Sequence, residues 1–88
     1  MAFTEINGVP VVHKEKDNEY WACSEDGEHA IKLFQCNGLW YFRRLRWDEN
    51  RKRMIAYTHH VDDRSGYHEV HDAMQAARSK FSAREVKF

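Results

Sequence analysis

Proline occurs once, glycine four times and cysteine twice in this chain of 88 residues, and its formal net charge is zero. So little proline and glycine excludes a collagen-like or low-complexity chain. Two cysteines, Cys23 and Cys36, are too few for the disulfide framework that holds small secreted domains together. They read as free thiols packed as small hydrophobes. No apolar stretch approaches the roughly 20 residues a membrane helix needs. Met1-Ala2-Phe3-Thr4-Glu5 has neither the basic head nor the apolar core of a secretory signal, so a cytoplasmic location is expected. No Gly-rich phosphate loop is present, and Ser24, Ser65, Ser79 and Ser82 lie in no nucleophile-elbow context. Glu25-Asp26 and Asp62-Asp63 look like turn residues. A chain this short is also expected to have little room for a pocket of roughly 300 Å³ or more. The expectation is a protein that is not an enzyme, with no catalytic residues, no metal and no cofactor.

What is present is an uneven distribution of charge. Residues 1–29 hold seven acids against two lysines, residues 30–53 hold seven basic residues against two acids, and the remainder balances. Local potential follows distribution rather than the total, so a neutral chain can still carry an anion-binding patch. The alternative is that the acidic third folds beside the basic third and neutralises it. Between Trp40 and Arg53 the chain packs six basic residues and four aromatics into fourteen positions. With 42% hydrophobic and 14% aromatic residues, residues 1–88 read as one globular domain.

The strongest local signal is Asn37-Gly38, between strand-like runs at 30–36 and 39–47. A two-residue Asn-Gly turn supplies the positive φ angles of a type I′ hairpin. It sets Cys36 opposite Leu39, Phe34 opposite Tyr41 and Lys32 opposite Arg43. Alternation then puts Ala30, Phe34, Cys36, Leu39, Tyr41, Leu45 and Trp47 on one face, interrupted by Lys32 and Arg43. The other face takes Ile31, Leu33, Trp40 and Phe42, then Gln35, Arg44 and Arg46. Residues 48–53 should form the next turn and 54–61 a third strand. Residues 9–13 and 19–23 read as an earlier hairpin around 14–18. After cap chemistry at 63–66, Tyr67, Val70, Met74, Ala77 and Phe81 form one apolar stripe, which predicts a helix over 67–81. The fold class is therefore α+β: an antiparallel β-meander, with an N-terminal hairpin, packed against one C-terminal α-helix.

In topology, three strands and a packed helix over Ile31 to Phe81 resemble small three-stranded DNA-binding domains such as the arm-binding domains of phage integrases. The pattern of glycines and arginines those domains carry on their strands is absent here, so no binding residue is transferred.

Six histidines include His59-His60 and His68-x-x-His71, but the spacing fits no zinc signature. His68 reads as a solvent-exposed residue and His71 as a residue at the edge of the core. Catalysis is set aside for the reasons above. Trp40, Phe42, Arg44 and Arg46, with the turn residues Arg51, Lys52 and Arg53, form the expected partner-binding surface. Aromatic and arginine side chains are the types enriched at protein hot spots. The leading expectation is a small macromolecule-binding protein, accessory or inhibitory, acting on a protein or nucleoprotein partner. A phage or mobile-element origin suits its size and lack of motifs. The alternative is a nucleic-acid-binding domain that stacks bases on strand 40–47 and contacts phosphates from the turn at 51–53.

Overall fold

A computed structural model describes residues 4–57, 65–81 and 86–88. Asn37 and Gly38 have φ angles of 54° and 80°, the left-handed pair that closes a two-residue hairpin. This turn fixes the pairing of β4 (His29–Cys36) with β5 (Leu39–Asp48). Cys36 faces Leu39, Phe34 faces Tyr41 and Lys32 faces Arg43, as the turn chemistry requires. The earlier hairpin is β2 (Val9–Lys14) and β3 (Glu19–Cys23), joined by a short 3₁₀ turn at Glu15–Asp17. The strand after the basic turn is β6 (Arg53–Ala56). Tyr57 continues its line by donating its N–H to the Arg44 carbonyl at 3.2 Å; residues 58–61 of the expected strand lie outside the described residues.

One strand was not anticipated. Asn7 (φ 53°) and Gly8 (φ 77°) repeat the Asn-Gly turn and pair β1 (Thr4–Ile6) with β2, Ile6 facing Val9. The result is a six-stranded antiparallel sheet in the order β1-β2-β3-β4-β5-β6.

The helix, α1, spans Val70–Ser79, within the expected 67–81. Tyr67 is not part of it. Gly66, at φ +70°, lies so close to β5 that a Cβ there would sit 3.0 Å from Leu39 Cδ1. The chain therefore runs alongside β5, and Tyr67 exchanges two backbone hydrogen bonds with Trp40, at 2.8 and 2.6 Å. Helical hydrogen bonding begins only afterwards, with Glu69 as the N-cap residue. The expected cap residues Asp63 and Arg64 lie outside the described residues.

Ala73, Met74 and Ala77 are buried against the sheet, and Phe81 is buried just past the helix end. The small alanines bring the helix close to Ile31, Leu33, Trp40 and Phe42, which form the core with Ile6, Val9, Val11 and Ala22. The C-terminal residues return to the sheet, with the Lys87 carbonyl accepting from Glu25 N–H at 2.8 Å. Phe88 packs on Phe81 at 5.3 Å between ring centroids. No helix among the described residues is long and apolar enough to cross a membrane.

Candidate interaction surfaces

The helix decides which sheet face meets solvent. It covers the face carrying Ile31, Leu33, Trp40 and Phe42, and this corrects the expectation of an exposed stacking pair. Phe42 is 0% and Trp40 9% exposed; both are core residues, with Trp40 held in addition by the Tyr67 bridge and by Tyr20 at 5.6 Å. Hairpin register assigned the two faces correctly. Which of them the helix covers is a tertiary choice that alternation does not encode.

Arg44 also belongs to the covered side. Its guanidinium lies 5.0 Å from the Tyr57 ring and 5.5 Å from the Phe81 ring, and Nη1 donates to the Lys80 carbonyl at 3.5 Å. Tyr57 in turn hydrogen-bonds His29 Nδ1 through its hydroxyl, and His29 and Tyr57 both pack on Phe81. Arg44 therefore acts as a structural clamp at the helix end, stabilised by cation–π contact, rather than as an outward-facing cation.

The opposite face is covered by no described element. Strand pairing orders its side chains in rows. One row runs Lys14, Glu19, Phe34, Tyr41, and the next runs Val12, Trp21, Lys32, Arg43. Trp21, Phe34, Tyr41, Arg43, Trp47 and Met54 are half-buried, and Val12 is 53% exposed. Polar contacts hold these side chains in place. Trp21 Nε1 donates to Glu19 at 2.7 Å, while the ammonium groups of Lys14 and Lys32 lie 4.9 and 5.6 Å from the Trp21 ring. Lys32 also reaches Glu19 at 3.7 Å. Phe34 and Tyr41 stack at 5.9 Å. Arg43 faces the like charge of Lys32 across the strands, an arrangement that costs stability, and it has no ion-pair partner among the described residues.

The third region is the β5–β6 turn. Asp48 is committed to the turn: its Oδ1 accepts N–H groups of Asn50 at 2.9 Å and Arg51 at 3.3 Å, and its Oδ2 lies 3.7 Å from Arg51 Nε. Lys52 is held by Glu49 at 2.5 Å, and Glu49 also accepts from Trp47 Nε1 at 2.7 Å. Lys52, then Trp47, hold the Glu49 carboxyl below its ordinary pKa. Arg46 and Arg53 have no ion-pair partner among the described residues. With Arg51 they line a cleft of about 470 Å³, floored by Met54, Ile55, Ala56 and Tyr57. A second cleft, of about 410 Å³, lies between Asn7, Arg78 and Phe88. The expectation that so short a chain leaves little room for such spaces is therefore corrected.

Among the described residues a single ion pair, Glu19–Lys32, joins the acidic third to the basic third. In the β3–β4 turn Asp26 instead accepts from the Ser24 hydroxyl at 2.5 Å and from Glu28 N–H at 2.9 Å, and the first of these is the main cause of its lowered pKa. Glu25-Asp26 is a turn pair, as its residue types suggested.

His71 is exposed rather than at the edge of the core, its Nε2 3.7 Å from Asp72, and His68 is exposed as expected. His59 and His60 lie outside the described residues, among which no group of three or more His, Cys, Asp or Glu side chains could hold a metal.

Cys23 and Cys36 are free but exposed, not packed in the core. Cys23 pairs with Ala30, six positions from Cys36 along β4. That separation is about 20 Å, well beyond what a disulfide spans. Alkylation of the native protein without reductant should add two labels by intact mass, and one or none would contradict this geometry.

Comparison with protein-family models, curated proteins and solved structures finds no match. What these surfaces do must therefore be read from their chemistry.

Proposed function

We propose that this chain is a small non-enzymatic binding protein of accessory or inhibitory type, which docks another protein on the helix-free face of its sheet. The observation that carries the reading is Arg43: half-buried, opposite Lys32, and without an ion-pair partner among the described residues. An incoming carboxylate would relieve that repulsion through a bidentate, charge-assisted pair. Phe34, Tyr41 and Trp47 supply the apolar area around it, each such ring burying roughly 150–250 Å² when fully covered. The partner surface that fits is acidic at its centre and apolar at its margin. A protein suits this face better than stacked bases do, because two ammonium groups already lie over the Trp21 ring and Glu19 holds its N–H.

The test is affinity purification from the native host, comparing the parent with Arg43→Glu combined with Tyr41→Ala. Each truncated hot spot costs about 2 kcal/mol or more, so a partner retained by the parent should be lost by the double variant. Reversing the matching acid on that partner should restore binding to Arg43→Glu. A partner held undiminished by a double variant that melts like the parent would show that this face is not the contact.

A further inference from the structure

We infer that the cleft at the end of the β5–β6 hairpin is a second binding site, which takes the phosphodiester backbone of a nucleic acid. It is separate from the protein-docking face, because Arg46 and Arg53 project on the helix side of the sheet and Arg43 on the other. Strand register places them: Arg46 faces Ile55 and Asp48 faces Arg53, so Arg46 and Arg53 are diagonal neighbours on one face. Diagonal neighbours lie roughly 7–8 Å apart. Two arginines so placed repel each other, and neither forms an ion pair among the described residues. Asp48, which faces Arg53 across the strands, is engaged by the turn amides and by Arg51. The acidic β3–β4 turn lies at the same end of the sheet, yet none of its carboxylates forms an ion pair with a cleft arginine. The other basic residues of this stretch are already occupied, Lys52 by Glu49 and Arg44 by the Tyr57 and Phe81 rings.

The lining identifies the class of ligand. Three arginines line a space of about 470 Å³, whose other described lining residues are Met54, Ile55, Ala56 and Tyr57. Guanidinium groups match phosphate oxygens in charge and geometry. Among the described residues the cleft presents arginines, apolar side chains and the Tyr57 ring but no carboxylate, so its attraction is chiefly to phosphate charge, which does not depend on sequence. An open cleft with dispersed cations suits a continuing strand, whose successive phosphates can meet successive arginines, better than a single phosphate. With the opposite face docking a protein, the chain would bridge the two components of a nucleoprotein.

Fluorescence anisotropy with labelled mixed-sequence 20-nucleotide single-stranded DNA, single-stranded RNA and duplex DNA tests this. Phosphate contacts from Arg46 and Arg53 predict that log K falls against log salt with a slope of about −1.4 to −1.8. Affinity should then drop by roughly sevenfold to twelvefold between 50 and 200 mM salt. Arg46→Glu with Arg53→Glu should abolish binding and keep the parental melting curve, whereas Arg43→Glu should leave binding intact. A change of oligonucleotide sequence should alter affinity less than twofold. Three results would each overturn the inference. One is the absence of binding to all three nucleic acids at 50 mM salt. The second is binding unchanged in the double variant. The third is displacement of the oligonucleotide by millimolar inorganic phosphate or by phosphatidylserine vesicles as readily as by unlabelled DNA.

Discussion

Met74→Asp should lower the unfolding free energy by about 4 kcal/mol or more, from lost packing plus a buried carboxylate with no partner. Met74 is 0% exposed and sits between Ala73 and Ala77 on the helix face that meets the sheet. A chain of this size has a total stability of roughly 4–13 kcal/mol. The loss is therefore between about a third and the whole of the stability, and the urea midpoint should fall accordingly. Met74→Leu, which keeps volume and polarity, should cost less than about 1.5 kcal/mol. The loss should also shrink as pH falls toward the ordinary aspartate pKa of about 3.9. The unfolded chain's carboxyl is only about half ionised there, whereas at pH 7 it is almost fully ionised and burial still opposes the charge in the folded state. Urea titrations at pH 7 and pH 4 measure both effects. A parental midpoint at pH 7 would mean that α1 is not docked through Met74.

Phe81→Ala should cost about 3–5 kcal/mol, although Phe81 lies beyond the helix and belongs to no strand. Its ring stands 5.6 Å from His29, 5.9 Å from Tyr57 and 5.3 Å from Phe88, with the Arg44 guanidinium at 5.5 Å. Removing it should release the Phe88 end of the chain and leave Arg44 without one wall of its slot. The near-UV circular dichroism should fall, and the Arg44 side-chain resonances should shift toward solvent-exposed positions. Phe81→Leu should recover more than half of the loss. A midpoint for Phe81→Ala within about 1 kcal/mol of the parent would remove Phe81 as the link between helix, tail and sheet.

The parts of this fold legible in the sequence are those governed by short-range geometry. A two-residue Asn-Gly turn permits one pairing, so the register of Cys36 with Leu39 follows without knowledge of the rest. The same dipeptide at Asn7-Gly8 carried the same information for β1. The strand it announces is only three residues long, too short for alternation to mark it in the sequence. The helix stripe was legible from Val70 onward. Tyr67 was not separable from it, because the close approach of Gly66 to Leu39 is a tertiary contact.

Partner-contact residues were the least legible, and the reason is physical. Both faces of β5 carry aromatics and arginines, so composition cannot say which one a helix will cover. A ten-residue helix is only about 15 Å long. It buries Trp40 and Phe42, its end meets Arg44, and it leaves Arg46 exposed. One strand face is thus core, clamp and free cation in succession. Within the basic turn Lys52 is satisfied by Glu49, whereas Arg53 has no ion-pair partner among the described residues.

The sheet's order follows the order of the chain, and this has a kinetic meaning. Each strand pairs with the one just before it across a turn of two to five residues. Assembly can therefore proceed as successive hairpin closures, each with a small loop entropy. Short sequence separation between partners speeds folding. The helix is the exception: it must return across the whole sheet, and one anchor, Asn7 Nδ2 to the His71 carbonyl at 2.8 Å, spans 64 positions. A chain whose sheet has formed before its helix docks would expose Ile31, Leu33, Trp40 and Phe42 together. The hazardous species during synthesis is then a meander with a bare apolar face, and its lifetime is set by how fast residues 70–81 arrive.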